Sequence, residues 1–109
     1  MSKATTRDID TYFLKLNEHK KKYGGKVILL WQGGTFYEVY AKNDISHPTY
    51  SLIKDYSEIL NCRIGQKANM KGVLMSGYGV SEPLQRQVPR LCKEGYTVVV
   101  YEQTGENKN

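Results

Sequence analysis

The run Val27-Ile-Leu-Leu-Trp31 constrains the fold of this chain more than any other segment. Five consecutive apolar residues are long enough for a strand that is buried on both faces and too short for a stable helix. After the pair Gly33-Gly34, the residues from Thr35 to Ala41 have the composition of a partner strand. The sequence therefore predicts a β-hairpin with its first strand inside a sheet.

Three stretches with apolar residues three and four positions apart predict helices. The apolar positions are Ile9, Tyr12, Phe13 and Leu16 in the first stretch, Tyr50, Ile53, Tyr56, Ile59 and Leu60 in the second, and Leu84, Val88, Leu91 and Cys92 in the third. Thr5 or Thr6 is expected to cap the first helix, and Gly24-Gly25 to end it after the lysines at 20–22. Ser81 is expected to cap the third helix, Pro83 to lie in its first turn and Pro89 to kink it.

Short apolar segments between these helices predict the remaining strands. Cys62 and Ile64 alternate with polar residues, Val73–Met75 is apolar, and Thr97–Tyr101 is β-branched and suits a final central strand. We therefore expect an α/β fold, a mixed β-sheet flanked by helices. The 109 residues suit a single domain, 1–109, with residues 1–4 and 106–109 frayed.

Composition narrows the classes of partner and compartment. A formal net charge of +5 and a sequence pI near 9.2 favour a polyanionic partner. No apolar stretch reaches the roughly 20 residues of a membrane span, so no membrane partner is expected. Cys62 and Cys92 lie on apolar faces without a secretory signal, which predicts buried thiols in an intracellular protein. His19 and His47 are isolated, so no metal site is predicted.

The pair Phe36-x-Glu38 is the candidate binding feature. Residues two apart in a strand project from the same face, so an apolar ring and a carboxylate would emerge side by side. If Tyr37 and Val39 enter the core, Phe36 is exposed where the strand begins. An aromatic wedge beside an acid suits a disturbed base pair in DNA. The alternative is a core Phe36 beside a solvated Glu38.

Three segments resemble the N-terminal mismatch-recognition domain of the MutS family of DNA mismatch-repair proteins. They are Lys26–Tyr40, Val73–Gly77 and Gly95–Gly105, in the family's order and at about its spacing. The resemblance implies that Phe36 stacks on a mispaired or unpaired base and that Glu38 hydrogen-bonds to it. It implies double-stranded DNA with mismatches or small loops as the partner, and the same α/β organisation.

Two departures from the family pattern fall near these residues. Gly33-Gly34-Thr35 stands where many members have Met-Gly-Asp, and Gln66-Lys67 is the nearest match to a Lys-Arg pair. Lys67, and Lys71 in the same polar connection, are the candidate phosphate contacts. Such divergence suits an organellar or viral branch of the family.

The chain lacks the phosphate loop, Gly-x-x-x-x-Gly-Lys-Ser/Thr, that the family's ATPase requires. We therefore expect a non-enzymatic domain excised from a larger protein, with ATP and magnesium bound only by the parent's ATPase domain. The parent is expected to be dimeric and the isolated domain monomeric. Without the parent's other DNA contacts, binding is expected in or above the non-specific range of about 10⁻⁴ to 10⁻⁶ M.

Glu38 is expected to repel phosphates at every site. It then favours only those sites where a base edge donates a hydrogen bond, or where its own carboxyl is protonated and donates one. Two other functions stay open at this point. A small DNA nuclease would need convergent carboxylates, for which Asp55, Glu38 and Glu102 show no special spacing. A protein-interaction domain would use Phe36 as a hydrophobic anchor.

Overall fold

The computed structural model describes residues 6–68, 70–79 and 84–102, of which Thr6 and Arg7 are described by their backbone alone. These residues form three helices and five strands. In chain order the elements are α1 (Thr6–Tyr23), β1 (Val27–Gly33), β2 (Phe36–Lys42), α2 (Pro48–Leu60), β3 (Gly65–Gln66), β4 (Val73–Gly79), α3 (Leu84–Lys93) and β5 (Thr97–Tyr101). Thr5 and Ser81, which were predicted as caps, and Pro83, which was predicted in the first turn of the third helix, lie outside the described residues.

The strands form one mixed sheet in the order β3-β4-β2-β1-β5. β1 and β5 are parallel, while the β1–β2, β2–β4 and β3–β4 pairs are antiparallel. The predicted α/β class is therefore confirmed. The prediction that 97–101 is a central strand is wrong, because β5 lies at the edge of the sheet. Its five residues are all half-buried, a setting that β-branched side chains suit as well as the interior.

The β1–β2 hairpin is present as predicted. Gly33 pairs with Phe36, which leaves Gly34 and Thr35 as a two-residue turn. Gly34 has a φ of +66°. A positive φ at the first turn residue is what a type II′ turn requires, and it lets the turn match the twist of the strands. The glycine pair therefore explains how β2 begins directly at Phe36.

One face of the sheet is covered by α1 and carries Trp31, Glu38 and Tyr40, and we call it the α1 face. The Tyr12 ring of α1 packs edge-on against Tyr40 at 5.0 Å and against Trp31 at 6.0 Å between ring centroids. The Tyr12 hydroxyl donates to the Leu29 carbonyl at 2.8 Å. These contacts fix α1 across the hairpin.

The opposite face carries Tyr37, Val39 and Tyr78, and α2 lies against it. The Tyr78 hydroxyl donates to the Leu60 carbonyl at the end of α2. The third helix, α3, contacts α2 and β5. Both faces of β1 are thus covered, and Val27 to Leu30 are each 0–1 % exposed. No helix within the described ranges is long and apolar enough to cross a membrane.

The short strand predicted over Cys62–Gly65 is present but lies further along the chain, since β3 comprises Gly65–Gln66. Side chains satisfy the carbonyls that precede it: the Ser57 hydroxyl donates to the Cys62 carbonyl, and the Ser76 hydroxyl donates to the Arg63 carbonyl at 2.6 Å. Because these carbonyls are bonded to hydroxyls, they do not form the ladder of a strand. The segment before β3 is therefore an ordered connection.

The expected burial of the cysteines is also wrong. Cys62 is half-buried and Cys92 is exposed. On α3 the buried residues are Gln87 and Leu91, while Leu84 and Val88 are half-buried. α3 has ten residues and covers an edge of the sheet, so only a narrow stripe of it is buried. Pro89 lies inside the helix, as predicted.

Gly77→Ala should destabilise the sheet strongly. A Cβ at Gly77 would lie 2.1 Å from the Tyr37 carbonyl oxygen, so β2 and β4 would have to separate. We expect a loss of at least about 1–3 kcal/mol in the free energy of unfolding, measured by urea denaturation. Gly65→Ala is the control, because a Cβ there meets no atom within 4 Å. Equal stabilities for the two variants would contradict the close approach of β2 and β4.

Candidate nucleic-acid interface

Phe36 is the first residue of β2 and stands in a row that otherwise holds glycine. It pairs with Gly33 of β1 on one side and with Gly79 of β4 on the other. Neither neighbour has a side chain to cover the ring. Phe36 lies at the end of β2, the central strand of the sheet, and is half-buried. The expected exposure of this ring at the beginning of the strand is therefore present in part.

Glu38 shares the α1 face with Phe36, as predicted, but it is not exposed. Its side chain is 3 % exposed, and its Oε1 accepts a hydrogen bond of 2.5 Å from the Tyr40 hydroxyl. Trp31 lies beside it on β1 and stacks on Tyr101 at 5.5 Å. These aromatic neighbours remove the carboxylate from water, and the phenol supplies the hydrogen bond that its burial demands. Glu38 was expected to face solvent, either as an acid beside an exposed Phe36 or as a solvated acid beside a core Phe36. Its burial shows that both expectations of exposure are wrong.

A cavity of about 430 Å³ opens beside Phe36 and Glu38. It lies over β4 and β3, next to the part of the sheet that α1 packs on. Its lining includes Phe36, Glu38, Arg63, Gly65, Met75 and Gly77. Its volume falls in the range of about 300–1,000 Å³ that is typical of small-molecule sites. Phe36 and Glu38, the two residues predicted to contact a base, therefore border a concave surface close to the hairpin turn.

Glycines explain why the cavity exists on this side of the sheet. Gly79 pairs with Phe36, Gly77 with Glu38, and Gly65 with Met75. The first two pairs therefore have no side chain on β4, and the third has none on β3. Since α1 packs over the aromatic residues of β1, β2 and β5, this strip of the α1 face has no cover from it.

Arg63 is the cation that lines this cavity, and sequence reasoning missed it. Its side chain is exposed, and its backbone carbonyl is held by the buried Ser76 hydroxyl. Its position depends on the β3–β4 register, which the sequence does not report: Gly65 pairs with Met75, so the chain just before β3 runs back toward Gly77. Placing the strand at 62–65 instead of 65–66 hid this relation.

The predicted lysines lie away from Phe36. Lys67 and Lys71 belong to the loop before Val73, whereas Phe36 pairs with Gly79 at the other end of β4. Six residue steps along a strand correspond to about 20 Å. Lys71 is exposed, but Lys67 is only 6 % exposed. The structure therefore brings Phe36 and Glu38 together and leaves the lysines apart from them.

The carboxylates considered for a nuclease do not converge. Each bonds a different tyrosine: Glu38 bonds Tyr40, Asp55 bonds Tyr96, and Glu102 bonds Tyr37. Burial and the bonds to Glu102 and Asp55 raise the pKa of the Tyr37 and Tyr96 hydroxyls, so these phenols remain donors. In the ranges 6–68, 70–79 and 84–102, no three His, Cys, Asp or Glu side chains form a group that could hold a metal ion.

No protein-family model matches the chain, and no curated protein matches it significantly. The relation to the MutS family therefore remains a prediction that rests on the three sequence segments around Phe36, Met75 and Val99.

Tyr40→Phe tests the bond that orients Glu38. Removing the hydroxyl leaves a buried carboxylate without this donor, so we expect a loss of about 1–3 kcal/mol in the free energy of unfolding. In a Glu38→Gln background the same change should cost less, because a neutral amide is easier to bury. Urea denaturation of the four proteins in this double-mutant cycle measures the coupling. A coupling of zero would show that the two side chains do not interact.

Proposed function

We propose that this domain recognises mispaired or unpaired bases in double-stranded DNA, with Phe36 as the stacking residue. The observation that carries the proposal is the row Gly33–Phe36–Gly79, in which a single half-buried ring stands beside an open cavity. A flat ring whose two cross-strand partners are glycines can enter a weakly stacked base step from the groove. Base–aromatic stacking supplies about 1–3 kcal/mol and tolerates any base.

The burial of Glu38 supports selectivity for a disturbed base. The carboxylate is 3 % exposed and borders the cavity, so a ligand group must enter the cavity to reach it. The bases of an intact duplex stay in the stack, and its phosphates are repelled by the charge. A displaced base carries N–H donors that a carboxylate can accept. Glu38 therefore stabilises a base that has been displaced from the stack.

The net charge of +5 supports a nucleic-acid partner, but its distribution limits which phosphates the domain can reach. Lys71 lies about 20 Å from Phe36 along β4. With a rise of about 3.4 Å per nucleotide along the helix axis, this corresponds to roughly six base pairs. Lys71 is therefore suited to the backbone away from the mismatch. Lys67, whose stem is buried, is better suited to holding its loop.

The same cavity favours one second candidate, a protein-interaction domain. An aromatic ring at the edge of an apolar concavity is the usual form of a hot spot for a peptide side chain. A nuclease receives no comparable support, because Glu38, Asp55 and Glu102 bond three separate tyrosines. The DNA-binding experiments below separate mismatch recognition from peptide binding, since a peptide-binding domain would not discriminate between matched and mismatched duplexes.

Phe36→Ala should remove the preference for mismatched DNA. We expect mismatch binding to weaken by about 1–3 kcal/mol and matched-duplex binding to change little. Affinities for the two duplexes, measured by fluorescence anisotropy at a fixed salt concentration, test this. Thermal melting must accompany the variant, because truncation of a core Phe would cost about 3–5 kcal/mol in stability. A strongly destabilised Phe36→Ala variant that still prefers mismatched to matched DNA would show that Phe36 is a core residue, and it would overturn the proposal.

Lys71→Ala should weaken matched and mismatched duplexes by the same factor. If Lys71 contacts one phosphate, the slope of log K against log salt should become less steep by about 0.9. Lys67→Ala should instead lower the melting temperature with a smaller change in the salt slope. Lys54→Ala, on the exposed side of α2, is the matched control for loss of one charge. If Lys54→Ala and Lys71→Ala change the slope equally, Lys71 makes no specific phosphate contact.

A further inference from the structure

The outer edge of β5 is a row of backbone groups in a strand that carries no charge. β5 lies at one end of the sheet order, and no strand within 6–68, 70–79 or 84–102 pairs with its outer side. Its five residues, Thr97–Tyr101, include no charged residue, glycine or proline. Natural sheets usually protect an exposed edge with such residues, because unpaired N–H and C=O groups bind the strand of another chain. The β5 edge therefore lacks the usual protection against pairing.

The hydrogen bonds between β5 and β1 determine which backbone groups point outward. The Thr97 N–H donates to the Lys26 carbonyl at 2.9 Å. Because backbone groups alternate in direction along a strand, those of Val99 also point to β1. Those of Val98 and Val100 point away from β1, in the plane of the sheet. α3 contacts both α2 and β5, so it lies over a face of the sheet and not in this plane.

These outward groups match those of a second, antiparallel β5. When Val99 lies opposite Val99 of the second copy, Val98 lies opposite Val100, and such a pair exchanges both backbone hydrogen bonds. The same register places Thr97 opposite Tyr101. A β-branched residue against an aromatic one is a favourable cross-strand pair. The edge is thus complementary to itself about a two-fold axis.

The charges at the two ends of β5 are complementary in the same register. Lys26 is exposed, and its Nζ lies where β5 begins, 2.8 Å from the Glu94 carbonyl oxygen and 4.7 Å from the centre of the Tyr96 ring. Glu102 is exposed just after the end of β5, and the Tyr37 hydroxyl donates to it from the face that carries α2. Since Tyr96 lies opposite Glu102 of the second copy, each Lys26 ammonium is brought near one carboxylate.

We propose that two copies of this chain pair through β5 in an antiparallel arrangement centred on Val99. The contact involves neither Phe36 nor DNA, and it replaces the expectation of a monomeric domain. The two five-stranded sheets then form one continuous sheet. Both outer edges of that sheet are β3, which has only two residues, so no further copy can add in the same way. The association is therefore a closed dimer.

Sedimentation velocity of the unchanged chain, over a roughly hundredfold range of concentration, tests this pairing. One strand from each copy makes a small interface, so we expect reversible exchange between monomer and dimer. Val98→Pro removes an outward N–H and leaves the bonds to β1 in place, and it should weaken the dimer at least tenfold. Val99→Pro removes an N–H that bonds to β1, so it should lower the melting temperature far more than Val98→Pro. A monomer at every concentration, or assemblies that grow beyond a dimer, would overturn the proposal.

Charge reversal tests the register without changing the strand. Lys26→Glu and Glu102→Lys should each weaken the dimer at least threefold. The double variant should restore it, because both ion pairs form again with their signs exchanged. Lys54→Glu, on the exposed side of α2, is the control for one reversed charge and should leave the dimer unchanged. Single variants that dimerise as the unchanged chain does, or a double variant that does not recover, would sink the register centred on Val99.

Amide hydrogen exchange shows whether the edge is open in the monomer. In dilute solution the Val98 and Val100 amides should exchange quickly, because neither bonds to β1. Those of Thr97 and Val99 should exchange slowly. Raising the concentration should slow exchange at Val98 and Val100. Slow exchange of these two amides at every concentration would mean that another part of the chain covers the edge, and it would overturn self-pairing. An unchanged pattern at concentrations where sedimentation shows a dimer would place the dimer contact elsewhere.

Discussion

The packing of Tyr12 against the β1–β2 hairpin determines the geometry of the rest of the structure. Its ring meets Trp31 and Tyr40 edge-on, and its hydroxyl donates to the Leu29 carbonyl, so α1 is fixed to both strands at one point. Aromatic pairs in this arrangement add stabilisation beyond the area that they bury. Tyr40 in turn holds the carboxylate of Glu38. The position of α1 therefore fixes both the buried acid and the limit of the covered part of the sheet.

The local features of the fold could be predicted from sequence, and the arrangement of the strands could not. The apolar run at Val27 and the turn at Gly34 gave the hairpin, and apolar spacing gave three helices. Period alone does not report strand order, so β5 was expected in the centre of the sheet although it lies at the edge. Arg63 was missed for the same reason, since its position depends on the register of β3 with β4.

The burial of Glu38 shows a further limit of sequence reasoning. Alternation along β2 correctly placed Glu38 on the face of Phe36, and an isolated strand would expose both side chains. Burial came from tertiary packing: Trp31 on the neighbouring strand lies beside Glu38, and Tyr12 of α1 packs on Tyr40. A carboxylate is seldom buried without a partner, and the partner here is a phenol only two residues away. The pair Glu38-x-Tyr40 was thus visible in the sequence. That the two side chains are buried and hydrogen-bonded to each other depends on the packing of α1, which the sequence pattern does not show.

Phe36 and Glu38 differ in how firmly the structure holds them, and this difference matters for the proposed recognition of a base. Glu38 lies inside β2, between β1 and β4, and its carboxylate is already oriented. Phe36 lies at the end of the strand between two glycines, so its ring has room to adjust to a base. A fixed acceptor costs little entropy on binding, while an adjustable ring tolerates different bases. Under the proposed function, selectivity then depends on whether a base can reach the fixed carboxylate, which an undisturbed base pair cannot do.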